Sequence, residues 1–260
     1  STSDAATSPS RSTAGQRVRP RILVGLLAAA AAVLPACDAF SPDTERRVVD
    51  TDFTATSGAW TPAFSDYSEG MAEGMELVAG RRGLPDNVDR STVQADSAMY
   101  LAGTNHSDDL FMYLKRPLDG LAENTTYRVE YRVEIATAAP SDCVGIGGPP
   151  GEAVWVKGGA AAVEPERQPS EGGLNVDKGN QSTGGPNAVV LGNIANDTSE
   201  CTGPGVYTRK VLRSPESEPL TVESDGSGRL WLFVGTDSGF EGRTGLFYLR
   251  VRAEVERAGR

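Results

Sequence analysis

A nine-residue stretch of strict alternation constrains the fold of this chain more than any other feature. In Tyr127-Arg-Val-Glu-Tyr-Arg-Val-Glu-Ile135, the odd positions are apolar or aromatic and the even positions are charged. Side chains along a β-strand point alternately to opposite faces of the sheet, so this segment predicts a strand with one buried face and one solvated face. Such one-sided burial is typical of antiparallel sheets.

The remainder of the chain also favours short strands divided by turns. Gly accounts for 30 and Pro for 16 of the 260 residues, and helical periodicity is absent over any useful length. Further strands are predicted at Ser97–Leu101, Leu110–Lys115, Ala153–Lys157, Ala188–Ile194, Val206–Leu212, Leu220–Glu223, Arg229–Gly235 and Leu246–Val255. In the last of these, Phe247, Leu249 and Val251 are expected on one face and Tyr248 and Arg250 on the other.

Many short strands with turn residues between them predict an all-β fold, an antiparallel β-sandwich. We expect one domain over residues 49–256. Residues 141–205 are rich in Gly, Pro and Asn and predict a long loop insertion within that domain.

The N-terminal segment has the features of an export signal. Several arginines, the last of them Arg21, precede an uncharged run from Ile22 to Ala36. This run has the length of a signal-peptide core, because a membrane-spanning helix needs about 20 apolar residues. The run ends in Leu34-Pro-Ala-Cys37, which resembles the lipobox of bacterial lipoproteins.

The lipobox resemblance implies removal of residues 1–36 and a lipid on Cys37. The protein would then be held at the bacterial cell membrane, outside the cytoplasm, by its acyl chains. Residues 37–48 are polar and charged and would form a tether to the domain. An ordinary signal peptide, cut at the same small residues, is the alternative.

The three cysteines are interpreted together. If Cys37 is lipidated, Cys143 and Cys201 are the two that remain, in an oxidising compartment, and a disulfide between them is predicted. Two unpaired buried thiols are the alternative.

The acidic charge balance excludes some partners. With 25 Lys and Arg against 35 Asp and Glu, the formal net charge is −10. This balance argues against a nucleic-acid partner and against a polybasic membrane patch. The expected partners are membrane lipid through Cys37 and a candidate carbohydrate ligand, and the expected state is a monomer.

The order of elements resembles the jelly-roll carbohydrate-binding modules of the galactose-binding-like kind. The matching segments are Asp52-Phe53 with Trp60, Leu121 to Val133, Leu230-Trp-Leu232 and Gly245 to Val255. The resemblance implies a jelly-roll sandwich and a non-catalytic binding module. The closing strand of those modules usually carries an Asp that helps to hold a structural calcium ion. Here that region reads Tyr248-Leu-Arg250-Val, so the family's calcium site is not carried over.

An aromatic patch is the candidate ligand site. Trp231 and Phe233 lie on one face of a predicted strand, and Tyr248 and Arg250 lie on the outer face of the next. If these strands are neighbours, three rings and a cation share one sheet face, and aromatic rings can stack on the apolar faces of sugars. In the competing interpretation, the 141–205 insertion covers this face and Trp231 belongs to a core.

Two loops carry oxygen ligands that could bind calcium. Asp237 and Glu241 lie in one glycine-rich loop, and Asn175, Asp177 and Asn180 form a second set. Neither set has the spacing of an EF-hand loop, and ordinary hairpin turns also explain both. Apart from such a calcium ion, no cofactor is expected.

An enzyme is the less favoured alternative. His106, the single histidine, lies beside Asp108 and Asp109, but no Gly-x-Ser-x-Gly elbow accompanies it. A glycosidase could pair Asp108 or Asp109 with Asp237 or Glu241, although a polar loop also explains these residues. The sequence therefore favours an exported binding module for carbohydrate or another cell-envelope ligand. A glycoside hydrolase and a structural or protein-interaction protein of the envelope are the alternatives.

Overall fold

The computed structural model describes residues 45–259 of the chain. The strands of this part are β1 Arg46–Asp52, β2 Thr61–Ser65, β3 Val78–Gly83, β4 Ser97–Thr104, β5 Leu110–Leu118, β6 Thr126–Thr137, β7 Val154–Ala161, β8 Ala188–Asn193, β9 Thr208–Arg213, β10 Leu220–Glu223, β11 Leu230–Ser238 and β12 Arg243–Arg257. A short 3-10 helix occupies Glu69–Met75. The predicted signal segment, Cys37 and residues 37–44 of the predicted tether lie outside the described residues.

These strands form two antiparallel sheets, which confirms the predicted all-β sandwich. One sheet has the order β10-β6-β12-β4-β3, with β1 paired to β12 and β9 paired to β6, and the other has the order β2-β5-β11-β7-β8. The main core lies between the sheets. The alternating segment forms β6, whose residues Tyr127 to Ile135 at odd positions are buried in this core. Among residues 45–259, no helix is long and apolar enough to cross a membrane.

The long final strand β12 contains an irregularity that the period-two pattern does not predict. The pairing of β12 with β6 shifts between Tyr248 and Arg250, so Leu249 is an extra residue. This bulge reverses the alternation. Tyr248 therefore faces the main core together with Val251, whereas Phe247 and Leu249 face outward. The predicted faces are therefore wrong for residues 247–249, before the bulge, whereas Val251, Ala253 and Val255 share one face as the pattern predicts.

Each sheet also has an outer face that is partly covered by a loop. Residues 84–96 cover part of the seven-stranded sheet, where Val88 and Val93 pack with Phe247 in a small second core. Residues 162–187, called here the cover segment, lie over the five-stranded sheet, where Val176 packs with buried Phe233. Loops of the sequence thus close surfaces that the strand pattern alone leaves open.

The predicted disulfide is confirmed. Cys143 and Cys201 are joined, with their sulfur atoms 2.06 Å apart and 58 residues of sequence separation. The bond links the β6–β7 connection to the β8–β9 connection, at the same end of the sandwich.

Candidate ligand-binding cleft

The four residues of the predicted aromatic patch do not come together. Trp231 and Phe233 lie on β11 in the five-stranded sheet, whereas Tyr248 and Arg250 lie on β12 in the seven-stranded sheet. The patch required β11 and β12, which follow each other in sequence, to be neighbours in one sheet. The chain crosses between the sheets after Ser238, so the patch is not formed.

The face of Trp231 and Phe233 is largely closed by the cover segment, as the competing interpretation expected. Phe233 is fully buried and lies edge-on to Phe111, with ring centroids 6.3 Å apart. Gly159 sits directly against the Phe233 ring, since a Cβ on Gly159 would lie 2.1 Å from it. Trp231 is partly exposed and has the Lys115 Nζ atom 5.8 Å from its ring centroid.

Tyr248 and Arg250 make contacts within the protein that leave neither free for the predicted patch. Tyr248 is fully buried in the main core, and burial raises the pKa of its phenol well above the usual value. Arg250 lies on the outer face of the seven-stranded sheet and forms a two-pronged ion pair with Asp50, both contacts being 2.7 Å. The Tyr248 ring is therefore closed to a ligand, and the Arg250 guanidinium is already paired.

A different concavity, called here the end cleft, opens where β12 begins. It has a volume of about 590 Å³. Its lining residues come from β4, from the β6–β7, β8–β9 and β11–β12 connections and from the start of β12: Tyr100, Ala138, Ala139, Pro140, Val144, Pro150, Ile194, Glu200, Cys201, Gly203, Pro204, Gly205, Tyr207, Phe240, Arg243, Thr244 and Gly245. The opposite end of β12 lies beside Glu45, where the described chain begins, because the Arg257 amide donates to the Glu45 carbonyl at 3.0 Å.

Three aromatic side chains of the end cleft are half-buried and leave part of their surface to solvent: Tyr100, Tyr207 and Phe240. Tyr100 and Tyr207 both pack on Phe247, with ring centroids 4.6 and 5.4 Å from it. Burial and the neighbouring Tyr100 raise the pKa of Tyr207 to about 12, so its hydroxyl group stays protonated and can donate hydrogen bonds at neutral pH.

Glycines hold two of these rings in place. A Cβ on Gly245 would lie 2.3 Å from the Tyr100 hydroxyl oxygen. The Phe240 ring lies between Gly145 and Gly242, where added Cβ atoms would come within 2.5 and 2.4 Å of it. Larger residues at these positions would displace the rings, so the glycines position the aromatic lining.

Charged and polar groups accompany the rings. Arg243 is 46% exposed and forms an ion pair with Glu76 at 3.1 Å. Glu200 is exposed on the opposite connection. The Thr244 hydroxyl oxygen is buried and has no hydrogen-bond partner within residues 45–259. The end cleft thus combines apolar ring surface with donors and acceptors.

Cross-links fix the walls of the end cleft. The Cys143–Cys201 bond joins two of the connections that line it. Asn196 donates from Nδ2 to the carbonyl oxygens of Thr137 and Val206, at 3.2 and 3.1 Å. The shape of the end cleft is therefore held before any ligand arrives, which reduces the entropy lost on binding.

Asp237 takes a role that the predictions did not assign to it. Its carboxylate is fully buried, and Oδ2 accepts hydrogen bonds from Lys157 Nζ at 2.8 Å and from Lys178 Nζ at 2.9 Å. The Gln181 amide is a third donor to the same oxygen, at 3.0 Å. Two lysine cations therefore take the place that a calcium ion would need at Asp237, which does not support the interpretation of Asp237 and Glu241 as calcium ligands.

The second predicted oxygen set is used within its own loop. Asn175 donates to the Glu164 carbonyl at 2.9 Å and accepts from the Glu166 amide at 2.8 Å. Asp177 accepts from the Gly179 amide at 2.9 Å, as in an ordinary turn. Within residues 45–259, no group of three or more His, Cys, Asp or Glu side chains is arranged to hold a metal ion.

One of the predicted carboxylate pairs, Asp109 with Asp237, does come together, but Asp237 is not accessible to a ligand. Lys178 Nζ lies 3.4 Å from Asp109 and 2.9 Å from Asp237, which brings these two carboxyl groups together. Asp66 joins the same lysine at 3.5 Å. Because Asp237 is fully buried, a sugar cannot reach both carboxyl groups, as glycoside hydrolysis would require.

Burial and charge shift the pKa values of the buried cluster, the name used here for Lys157, Lys178, Asp66, Asp109 and Asp237. Burial raises the pKa of Asp109 to about 7; the Lys178 cation opposes this rise, and neighbouring Asp237 and Asp66 add to it. Burial likewise raises the pKa of Asp66. Burial lowers the pKa of Lys157, whereas three carboxylates overcome the burial of Lys178 and raise its pKa.

His106 belongs to a structural loop. Its Nε2 atom lies 3.2 Å from the Gly74 carbonyl oxygen. Asp108 has a positive φ of 61°, and its carbonyl accepts from Gln181 at 2.9 Å. The loop is closed by Ser107, which donates to Asn105. These contacts fit the polar-loop alternative.

The sequence did not identify the residues of the end cleft. Tyr100 lies on β4, Tyr207 lies just before β9 and Arg243 begins β12, so the three are far apart in sequence, and each looks like an ordinary strand residue. The two cysteines were the available signal, since a disulfide across a Gly- and Pro-rich insertion draws distant loops to one place.

Together, the fold and the end cleft define an antiparallel β-sandwich with a rigid, aromatic-lined groove at one end. No protein-family model matches the chain, and no curated protein matches it. Similar solved structures include a carbohydrate-binding module studied for specific mannan recognition, with 13% identity over 83% of this chain and 100% of that chain and a TM-score of 0.37.

Two further similar structures come from named organisms. The K1 cleaved adhesin domain of Lys-gingipain from Porphyromonas gingivalis is 12% identical over 82% of this chain and 99% of that chain, with a TM-score of 0.34. The C-terminal carbohydrate-binding module of a marine laminarinase from Zobellia galactanivorans is 11% identical over 80% and 98%, with a TM-score of 0.27. At these scores, function has to be argued from the residues of this chain.

Proposed function

We propose that this protein is an exported, membrane-anchored lipoprotein whose sandwich binds carbohydrate in the end cleft without transforming it. One observation carries the binding proposal: Tyr100, Tyr207 and Phe240 share a concavity of about 590 Å³ with Arg243. This volume lies within the range of roughly 300–1,000 Å³ that is usual for small-molecule sites.

The chemistry of the end cleft suits a sugar. A pyranose ring has apolar C–H faces, which pack on aromatic surface, and a rim of hydroxyl groups, which need hydrogen-bond partners. Tyr207 supplies a protonated hydroxyl group, and Arg243 and Glu200 supply a donor and an acceptor. The rigid walls favour a ligand that binds without rearranging the loops.

The lining favours binding over hydrolysis. A carboxylate-pair glycosidase needs two carboxyl groups roughly 5–10 Å apart beside the scissile bond. Among the described residues that line the end cleft, Glu200 is the single carboxylate. The close pair Asp109 and Asp237 lies in the buried cluster and not in this lining.

The anchoring part of the proposal rests on the sequence Leu34 to Cys37, which resembles the lipobox. Metabolic labelling of the full-length protein with a fatty-acid precursor tests it. Wild type should incorporate label and Cys37→Ser should not. Equal labelling of both, or of neither, would contradict the anchor while leaving the sugar proposal untouched.

Retention by soluble polysaccharides in native gels tests sugar binding. A panel of mannans, galactans and β-glucans is compared for wild type, Tyr207→Phe and Arg243→Ala. At least one polysaccharide should retard the wild type, and both substitutions should weaken that retardation by roughly tenfold, about 1.4 kcal/mol each. Trp231→Ala is the matched control, because Trp231 lies on the five-stranded sheet away from the end cleft.

The outcomes separate the candidate roles. Retardation that Trp231→Ala abolishes and Tyr207→Phe leaves unchanged would move the site to the sheet face. The absence of any retained polysaccharide would end the sugar proposal. The structural or protein-interaction role then becomes the leading alternative, because Val144 and Ile146 beside the end cleft are 99% and 72% exposed.

A further inference from the structure

Lys157 and Asp237 form an unusually closed lysine–carboxylate contact. Both side chains are fully buried, on the outer face of the five-stranded sheet beneath the cover segment. The strands β7 and β11 are direct neighbours, and Trp155 is paired with Asp237. Lys157 is two residues further along β7 on the same face, so the two side chains meet diagonally with Nζ 2.8 Å from Oδ2.

The hydrogen bonds of Lys157 orient its nitrogen towards the carboxyl group. Nζ donates to the carbonyl oxygens of Lys178 and Thr183, both at 2.9 Å. Carbonyl oxygens can only accept hydrogen bonds. When the amine is neutral, its two N–H bonds stay on these carbonyls, and its lone pair points in the third direction, towards Asp237. Burial lowers the pKa of Lys157, which makes this neutral form more accessible.

The other members of the buried cluster suit acid catalysis. Lys178 keeps its charge, because three carboxylates raise its pKa, and it donates to Asp237 Oδ2 at 2.9 Å. Oδ1 of Asp237 is buried and has no hydrogen-bond partner in the described part of the chain. The Asp109 carboxyl group, with its pKa raised to about 7, contacts the same Lys178 amine as Asp237 and is placed to give Asp237 a proton.

We propose that Lys157 and Asp237 condense spontaneously in the folded protein to form an intramolecular isopeptide bond. The Lys157 ammonium first gives a proton to the Asp237 carboxylate. The neutral Nζ then attacks Cγ of Asp237, and the N–Cγ bond forms. Asp109 donates a proton to the carboxyl oxygen and takes the proton that leaves nitrogen. The Cγ–O bond breaks, and one molecule of water is released.

This reaction is balanced without any other reactant. An ammonium and a carboxylate become an amide and water, so no oxidant, activated acyl group or net proton is needed. It also removes two opposite charges from a site where their desolvation is costly. Asp109 is 43% exposed in its side chain, so the released water has a short route to solvent beside it.

Mass spectrometry of the full-length folded protein, after reduction of the disulfide, tests the proposal. The intact mass should fall one water molecule below the mass calculated for the chain with the same N-terminal processing. Trypsin should yield one branched species, in which residues 133–167, uncut after Lys157, are joined to residues 230–243. Lys157→Met and Asp237→Ala should each show the full calculated mass.

An internal control and a catalytic variant sharpen the test. Lys115 Nζ lies 2.7 Å from Glu164 Oε1, but this pair is partly exposed and should stay unlinked. Asp109→Asn keeps Lys157 and Asp237 and should slow the loss of water at least tenfold. A folded wild type that retains its full calculated mass after days of incubation, with a free peptide that ends at Lys157, would overturn the proposal.

Discussion

Lys178 of the cover segment donates from Nζ to Asp237 Oδ2 on β11 at 2.9 Å, and this contact ties the cover segment to the five-stranded sheet. Lys178→Met should therefore destabilise the protein by about 3 kcal/mol, because Asp66 loses its lysine partner and Asp237 keeps only Lys157. Urea denaturation measures the loss. Hydrogen exchange should rise more in residues 162–187 than in the seven-stranded sheet.

An exposed ion pair gives the control for that experiment. Arg229 lies 2.5 Å from Asp119, but the two side chains are 43% and 62% exposed. Arg229→Met should lower the urea midpoint much less than Lys178→Met, since exposed pairs contribute little. Equal costs for the two substitutions would show that burial of the Lys178 contacts does not matter.

Asp109 should make stability fall as pH rises towards neutrality. Its pKa is raised to about 7 in the folded protein from an ordinary value of 3.8, so the folded state binds the extra proton between these values. The contribution is fully present below pH 4 and is lost as pH rises through 7. Asp109→Asn removes this titration. The free energy of unfolding of the variant, relative to that of the wild type, should therefore rise by about 1–2 kcal/mol between pH 4 and pH 8, after allowance for solvent screening. A flat difference would contradict this assignment.

The ion pairs of Glu134 should make stability fall as pH decreases, the opposite of the effect of Asp109. Burial would raise its pKa, but hydrogen bonds from Arg209 and Arg132 outweigh burial and lower it below the usual value of 4.5. Its contribution is present above pH 4.5 and is lost as pH falls through the lowered value. Glu134→Gln should cost about 1–2 kcal/mol at pH 7 and close to nothing near pH 2, by thermal melting across pH.

Loss of the disulfide should weaken both stability and ligand binding. The bond closes a loop of 58 residues, and a loop of this size is worth about 4 kcal/mol through the unfolded state. Cys143→Ser with Cys201→Ser should lower the melting temperature and raise the dissociation constant for any retained polysaccharide. Full affinity in a destabilised double variant would show that the end cleft keeps its shape without the bond.

The strands were predictable because their signal is local. The alternation from Tyr127 to Ile135 is a property of nine adjacent residues, and it placed β6 correctly in a one-sided sheet. The face change at Leu249 was not predictable from β12 alone, because the bulge exists only in its pairing with β6.

The predicted aromatic patch does not form, for a related reason. It required Trp231 and Tyr248 to lie on neighbouring strands, but the connection after Ser238 passes from one sheet to the other. A lysine within an apolar strand, such as Lys157, is a partial sign of a buried charge that needs a partner. Its partner Asp237 lies 80 positions later in the numbering, and only the pairing of β7 with β11 brings them together.

The position of the end cleft has a mechanical consequence. β12 begins at the end cleft and finishes beside Glu45, so its 15 residues separate a bound ligand from the N-terminal side of the domain, by roughly 45 Å at about 3.3 Å per residue. A force applied between the end cleft and Glu45 is directed along the strands. It loads the seven residue pairs of β1 and β12 in shear. Antiparallel hydrogen bonds lie across that direction and must break together, so the sandwich resists a pull between Glu45 and a ligand held in the end cleft as proposed.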